Sequence, residues 1–389
     1  MIERIESLTN NIKNELEELS LYIYNNPELG YDEYKSSKAH IELLEKHNFK
    51  VEEGYLGMNT AFKAEYKGQK ERPTVGYLAE YDALPGIGHG CGHNILGAVS
   101  TGAGIVLSKL VDEIGGKVVV FGTPAEETSG AKVKMTNMGA FDDLDVAMSA
   151  HPYSDFSESG SSLAMEAIQF TFRGKTAHAA AAPEKGINAL DACLATFHSI
   201  NALRQHTLPE ARIHGIIRAG GEAANIVPEL AIAEFYVRTS SKQYLIELSE
   251  KVKNCARAGA LAAGAQLEIT NYEESFDNLV SNKTLQDLFV SNLGLSGITK
   301  VKPAEDMMGS TDVGNVSQVC PTIHPKFGIC EEGVDIPVHT REFAEATLTK
   351  TAVVNMTKTV MALSMTGANV IMDNELLEQI KKEFDEAKK

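Results

Sequence analysis

Cys91 and His93 stand one residue apart in the run Gly88-His89-Gly90-Cys91-Gly92-His93-Asn94. A thiolate and an imidazole both bind a borderline-soft divalent metal, and the glycine between them lets the backbone bend until both point into one cavity. The triplet alone is weak; the run before it gives it weight. Thr74-Val75-Gly76-Tyr77-Leu78-Ala79 reads as a short buried strand that leads into Glu80-Tyr81-Asp82-Ala83-Leu84-Pro85. The same pattern recurs where the apolar run at 118–121 opens into Gly122-Thr123-Pro124-Ala125-Glu126-Glu127, and where 146–150 delivers His151-Pro152. Open α/β sheets place their chemistry just past the carboxyl ends of such strands, so three strands ending in potential ligands or bases point to one site.

The elements that must position these residues follow from periodicity. Ile5, Leu8, Ile12, Leu16, Leu19 and Ile23 recur at three- and four-residue spacing, which predicts a helix over 3–24 lying on a sheet. A second helix is expected over 35–46, strands over 51–55 and 60–66, and a helix over 95–110 that begins where the Cys/His loop ends. From about residue 165 the register changes to strand 167–172, helix 186–205, strands 212–219 and 231–239, helix 242–263 and strand 266–272. That β-α-β-β-α-β order is the ferredoxin-like unit. Further helices are expected over 285–292, 343–365 and 374–387. The reading is therefore an α/β chain with a mixed, mostly parallel sheet sandwiched by helices and an inserted α+β lid. The catalytic domain would comprise 1–164 and 276–389, and the lid and dimerisation domain 165–275.

Composition narrows the function. A chain of 389 residues that is 43% apolar can fill more than one core. A formal net charge of −17 argues against nucleic acid or an anionic membrane as partner, and any anionic substrate must be met by a local Arg or Lys. Five cysteines without a framework spacing fit a reducing compartment. The amino terminus alternates charged and apolar residues, unlike a signal peptide, and no stretch is read as long enough for a membrane span, so the expected location is the cytoplasm. The glycines at 86, 88, 90 and 92 do not form a dinucleotide fingerprint, because His93 occupies the position of its last glycine. No G-x-S-x-G elbow occurs. Cys193, His198, His214 and Cys255 fall within helical or strand patterns and read as structural, and Cys320, His324 and Cys330 are too few and too irregular for a zinc set.

Together these segments resemble the co-catalytic metallopeptidases of the aminoacylase and carboxypeptidase type, and among them the Cys-Gly-His branch of amino-acid-conjugate and aminobenzoyl-glutamate amidohydrolases. The matching stretches run in order along the whole chain: Asn26-Pro27-Glu28-Leu29-Gly30, Glu80 to Pro85, Cys91 to Asn94, Pro124 to Glu127, Ala150-His151-Pro152, Gly174-Lys175-Thr176-Ala177-His178, Asn225-Ile226-Val227-Pro228 and Val338-His339-Thr340. The resemblance implies a zinc-exopeptidase-like fold with two divalent metals held by Cys91, His93, Glu127, His151 and His339. That mixed sulfur, nitrogen and oxygen set suits zinc, with Mn2+ also compatible. It further implies that Glu126 is the general base for a metal-bridging water that attacks an amide carbonyl, and that Asp82 orients an imidazole from behind. His178 would stabilise the oxyanion in the active site of a partner subunit, while Asn225 and Arg238 would hold the substrate's carboxylate. Asn94 departs from the Asp common after the histidine. The loop Gly309-Ser310-Thr311-Asp312-Val313-Gly314-Asn315 resembles one that lines the substrate cleft.

The expected function is hydrolysis of a small amide or peptide, such as an N-acyl-amino acid, a dipeptide or an aminobenzoyl-glutamate-like amide. The expected assembly is a homodimer or higher homo-oligomer formed through the inserted domain. The alternatives are a catalytically idle relative that serves as a binding or regulatory protein, and a single structural zinc, which predicts one metal per chain and unfolding on chelation.

Overall fold

Val118, Val119, Val120 and Phe121 are apolar on both faces of their strand because that strand, Lys117–Gly122, lies inside a six-stranded sheet. The computed structural model describes residues 1–304 and 309–388. Across the sheet the strands run Lys50–Glu53, Phe62–Lys67, Lys117–Gly122, Thr74–Ala79, Val146–Met148 and Thr322–Ile323. The first three pair antiparallel and the remainder parallel. Thr74–Ala79 therefore has Lys117–Gly122 on one side and Val146–Met148 on the other. Their carboxyl ends lie side by side, and these are the three strands whose following residues carry the candidate ligands.

Helices His93–Ile114 and Lys350–Met372 pack on the sheet, and Ile2–Asn25, expected to lie on a sheet, packs instead against those two helices, all around one core that includes Ile5, Leu16, Tyr77, Val99, Val120 and Val360. His93–Ile114 corrects two expectations. It starts at His93 itself, so the histidine belongs to the helix's first turn. With a mean hydropathy of 1.4 it is also long and apolar enough to cross a membrane, contrary to the expectation that no stretch is; 94% of that stretch is buried inside the protein. The helix expected over 343–365 is two, Arg341–Ala346 and Lys350–Met372. The break is chemical, because Thr349 caps the second helix by accepting from the Ala352 N–H, and hydroxyl capping competes with continuing the turn.

The chain separates into two units: Met1–Ser161 with 279–304 and 311–388, and Ser162–Asn278 with 309–310. In the second, strands Ala164–Arg173, Arg212–Ala219, Leu230–Thr239 and Gln266–Asn271 form an antiparallel sheet carrying helices Ala189–Leu203 and Lys242–Ala263. With the strands taken in chain order, the sheet order is fourth, first, third, second, the ferredoxin-like arrangement. Phe170, Phe172, Phe235 and Leu248 fill a core of its own.

Candidate metal centre

Gly92 brings the first ligands together. Its φ of +79° is open to glycine at little cost, and a Cβ there would lie 2.5 Å from Cγ of Pro152. The Cys91–His93 bend can therefore press against the strand that starts at His151. Cys91 Sγ is 3.4 Å from His151 Nε2. His151 Nδ1 donates to the Pro152 carbonyl at 2.8 Å, which leaves Nε2 free to face the sulfur. Burial, with His324 and His93 nearby, lowers the His151 pKa to about 3, so its imidazole is neutral and fit to ligate.

Asp82 ties two parts of the cluster together. Its Oδ1 accepts from His93 Nδ1 at 2.8 Å, while its Oδ2 accepts from the Glu127 backbone N–H at 2.9 Å. It thereby fixes the imidazole so that Nε2 points away from it, as the outer partner of a metal-binding histidine must. Glu127 Oε1 lies 3.4 Å from His339 Nε2. Burial raises the Glu127 pKa, but His339 and His93 outweigh it and bring it down to about 2. His339 holds a left-handed φ of 64°, and its N–H donates to the carbonyl of Gly90 at 2.8 Å. Non-glycine residues take that conformation at a cost, and such strain concentrates at functional sites.

Cys91, His93, Glu126, Glu127, His151 and His339 thus gather. Ligand atoms of Cys91, His93 and His151 all lie within 4.8 Å of one another, as do those of Cys91, Glu127 and His339, and those of His93, Glu126 and Glu127. The donor set fits a metal centre on chemistry and on unmet need, since His93 Nε2 and Glu127 Oε1 are buried without an aligned hydrogen-bond partner. Burial pushes the Cys91 thiol well above its ordinary pKa. Although burial opposes charge on His93, Asp82 and Cys91 pull its pKa well above the ordinary value. Glu126 is pushed well above the carboxylate range by burial and by the neighbouring charges of Glu80 and Glu127. Two adjacent acids therefore differ in behaviour, one held ionised and one poised to carry a proton.

Four residues beneath the cluster carry no role in the sequence reading. Glu80 Oε2 is 3.3 Å from His93 Nε2, and its Oε1 is 2.8 Å from the ammonium of Lys132, which also pairs with Asp312 Oδ1 at 2.6 Å. All three side chains are inaccessible to solvent. The fourth, His324, packs edge-on against His151 with ring centroids 5.6 Å apart. Glu80 could have been found, because it is the first residue past the strand Thr74–Ala79, two before Asp82. Nothing in the sequence marks Lys132. Asn94, where an acid is common, donates to Ser20 Oγ and Thr347 Oγ1 and is structural. From the Gly309 to Asn315 loop, Asp312 joins this network.

The remaining candidates lie in the second unit. His178 is exposed; its Nδ1 accepts from the N–H groups of Ala180 and Ala181 at 3.2 Å, which places the ring proton on Nε2. Asn225 sits beside it, its carbonyl accepting from the Ala179 N–H at 3.0 Å. Arg238 is half-buried, with its guanidinium over the Tyr236 ring at 5.4 Å and Nη1 donating to Ser310 Oγ at 3.4 Å.

A cysteine sulfur, imidazoles and carboxylates gathered near the carboxyl ends of adjacent strands define a metal-dependent hydrolase site. Residues 165–263 match the peptidase dimerisation domain of the M20 family. The chain is 37% identical over 386 residues to the Xaa-Arg dipeptidase of Mus musculus, covering 94% of this chain and 88% of that protein. It is 30% identical over 297 residues to a p-aminobenzoyl-glutamate hydrolase polypeptide of Escherichia coli (strain K12), covering 71% and 61%. Among solved structures, a Bacillus subtilis dinuclear metal binding peptidase from the M20 family superposes with a TM-score of 0.68 at 21% identity, covering 92% of this chain and 99% of that one. The aminobenzoyl-glutamate utilization protein from Klebsiella pneumoniae gives 0.75 at 17%, covering 94% and 98%. The chain belongs to the M20 family of metallopeptidases, and it is an enzyme that hydrolyses small amide or peptide substrates.

Proposed function

We propose that this protein is a two-metal dipeptidase that prefers a basic carboxy-terminal residue, acting as a homodimer. The observation that carries the hydrolytic reading is the convergence of Cys91, His93, Glu126, Glu127, His151 and His339 within ligand distance of common points. Two of the three groupings share Cys91, which suits two neighbouring cations, one with His93 and His151 and one with Glu127 and His339. Zinc fits the sulfur, and Mn2+ is compatible with the remaining donors. The preference for arginine rests on similarity over nearly the whole chain to a dipeptidase of that name.

When bound, the cations supply Lewis acidity to the scissile carbonyl and make water more acidic. The protein's own side chains do the rest. Glu126 removes a proton from the attacking water as the new C–O bond forms, then delivers it to the leaving nitrogen as the C–N bond breaks. Asp82 keeps the His93 ring in one orientation. Arg238 and Asn225 hold the substrate's carboxylate, a task matched to a guanidinium fork. His178 donates Nε2–H to the developing oxyanion from the partner subunit; its exposure and its tautomer support that role. The five unpaired cysteines support a cytoplasmic setting.

The test is a panel of Xaa-Arg, Xaa-Lys and Xaa-Glu dipeptides, N-acetyl-amino acids and p-aminobenzoyl-glutamate, given to chelated and zinc-loaded protein. Cleavage of Xaa-Arg fastest, and only with metal, is the expected outcome. Faster cleavage of an N-acyl-amino acid or of p-aminobenzoyl-glutamate overturns the dipeptidase reading, and no cleavage of any substrate by the metal-loaded chain favours an idle binding protein.

A further inference from the structure

The stretch Asn26-Pro27-Glu28-Leu29-Gly30 takes no part in the chemistry above, and the structure shows what it and the residues after it touch. The Glu28 carbonyl accepts from the Ala83 N–H at 2.8 Å, next to Asp82. Gly30 lies against the turn that carries Glu126: a Cβ there would meet Thr128 Oγ1 at 2.4 Å and Ala125 Cβ at 2.9 Å. Three residues further on, Glu33 is fully buried. Its Oε1 accepts from the Ala125 N–H at 2.8 Å and its Oε2 from the Thr60 hydroxyl at 2.9 Å. Thr60 is held in turn, its carbonyl accepting from the Tyr81 hydroxyl at 2.5 Å.

Ala125 immediately precedes Glu126 and has a φ of 60°, in the left-handed region that a residue with a Cβ seldom enters. Its carbonyl accepts from the Gly130 N–H at 2.7 Å and closes the turn. A backbone of this kind persists only where its surroundings over-determine it. A carboxyl group is likewise buried at a cost unless donors compensate, and here one of its donors is the N–H of the strained residue itself. We propose that Glu33 is a positioning residue, which grips the Ala125 N–H and so holds the left-handed turn that aims Glu126 into the ligand cluster. The inference rests on the reading of Glu126 as the general base.

Two substitutions separate acceptor from charge. Glu33→Gln keeps an acceptor oxygen at the same reach; Glu33→Asp keeps the charge but withdraws the oxygen by about one C–C bond, roughly 1.5 Å. A catalytic group displaced by about 1 Å can lose about 100-fold in rate. Glu33→Asp is expected to lower kcat on an Xaa-Arg dipeptide by about 10- to 100-fold with KM, bound zinc and far-ultraviolet circular dichroism at parental values, while Glu33→Gln stays within about threefold. Parental kcat in a folded, zinc-replete Glu33→Asp protein overturns the inference, and so does a Glu33→Gln protein as slow as Glu33→Asp. Glu126→Gln measured alongside distinguishes the two readings. If Glu126→Gln itself keeps parental kcat, the base assignment has failed; if it is inactive while Glu33→Asp is not impaired, the positioning role alone has failed.

Discussion

Replacing Lys132 with methionine removes the one cation from a buried group of three. Its ammonium bridges Glu80 at 2.8 Å and Asp312 at 2.6 Å, with side-chain exposures of 0% for Lys132, 1% for Glu80 and 0% for Asp312. Without it, two carboxylates remain out of contact with water. Each can stay ionised and bear the desolvation cost, or take up a proton. From ordinary pKa values of 4.5 for Glu and 3.8 for Asp, protonating one of them at pH 7.5 costs about 4 to 5 kcal/mol. Breaking a buried pair by deleting one partner falls in the same range, about 3 to 5 kcal/mol. At about 2 °C per kcal/mol for a chain of this size, the melting temperature should drop by about 8 °C. Because protonation becomes cheaper in acid, the deficit should shrink to about 1.4 to 2.3 kcal/mol at pH 5.5. Adding Asp312→Asn removes one stranded charge and should recover part of the loss. The assay is thermal and urea denaturation of chelated protein at both pH values, so that metal loss plays no part. A Lys132→Met protein that melts within about 2 °C of the parent, or a deficit that does not change with pH, would show that the group is not the buried ionic lock described above.

Further expectations concern other parts of the molecule. His40 is buried against Tyr81 with Nδ1 bonded to Thr101 Oγ1 at 2.8 Å, and burial lowers its pKa to about 3. Its folded-state pKa lies below the unfolded value of 6.5, so the unfolded chain binds the extra proton and stability falls with pH through the window from 6.5 to about 3. By pH 5 the loss is about 2 kcal/mol; His40→Gln should be that much less acid-sensitive in urea titrations at pH 7.5 and 5, and an equal loss in both proteins would contradict it. Arg238→Ala should raise KM for an Xaa-Arg dipeptide by about 10- to 100-fold, the worth of a charge-assisted hydrogen bond, at unchanged melting temperature. An unchanged KM would remove Arg238 from the substrate site. Mixed protomers of inactive His178→Ala and inactive Glu126→Gln should regain partial activity if the histidine works across a dimer; no recovery after demonstrated subunit exchange would count against that.

What the sequence made legible was whatever local pattern and chain order determine. The strand Arg212–Ala219 and the helices Lys242–Ala263 and Asn374–Ala387 have the bounds their periodicity predicts, because one face of each is apolar and turn residues flank it. Most candidate ligands were visible because they follow strands that end at one edge of one sheet, whereas His339 follows no strand and came only from the family resemblance. Residues that act through long-range contacts were not visible. Lys132 opens a short helix, Asp312 lies 180 residues further on, and only the folded chain shows that they pair. Glu33 looks like one more acid in a polar stretch until its partner, 92 residues away, is known. The strands Thr322–Ile323 and Lys326–Gly328 are too short for any period, and they exist through pairing with Val146–Met148 and His151–Tyr153. The single helix expected over 343–365 shows the converse error, in which continuous apolar spacing hid a capping threonine.

Glu126 and Glu127 are neighbours with different proposed tasks, one carrying a proton and one holding metal. Zinc per chain and turnover on an Xaa-Arg dipeptide, measured for the parent, Glu126→Gln and Glu127→Gln, tests that division most directly. The parent should hold two equivalents; Glu126→Gln should keep both while losing about 100- to 10,000-fold in turnover, and Glu127→Gln should lose metal. One equivalent in the parent, or metal lost from Glu126→Gln and kept by Glu127→Gln, would contradict the arrangement proposed for this site.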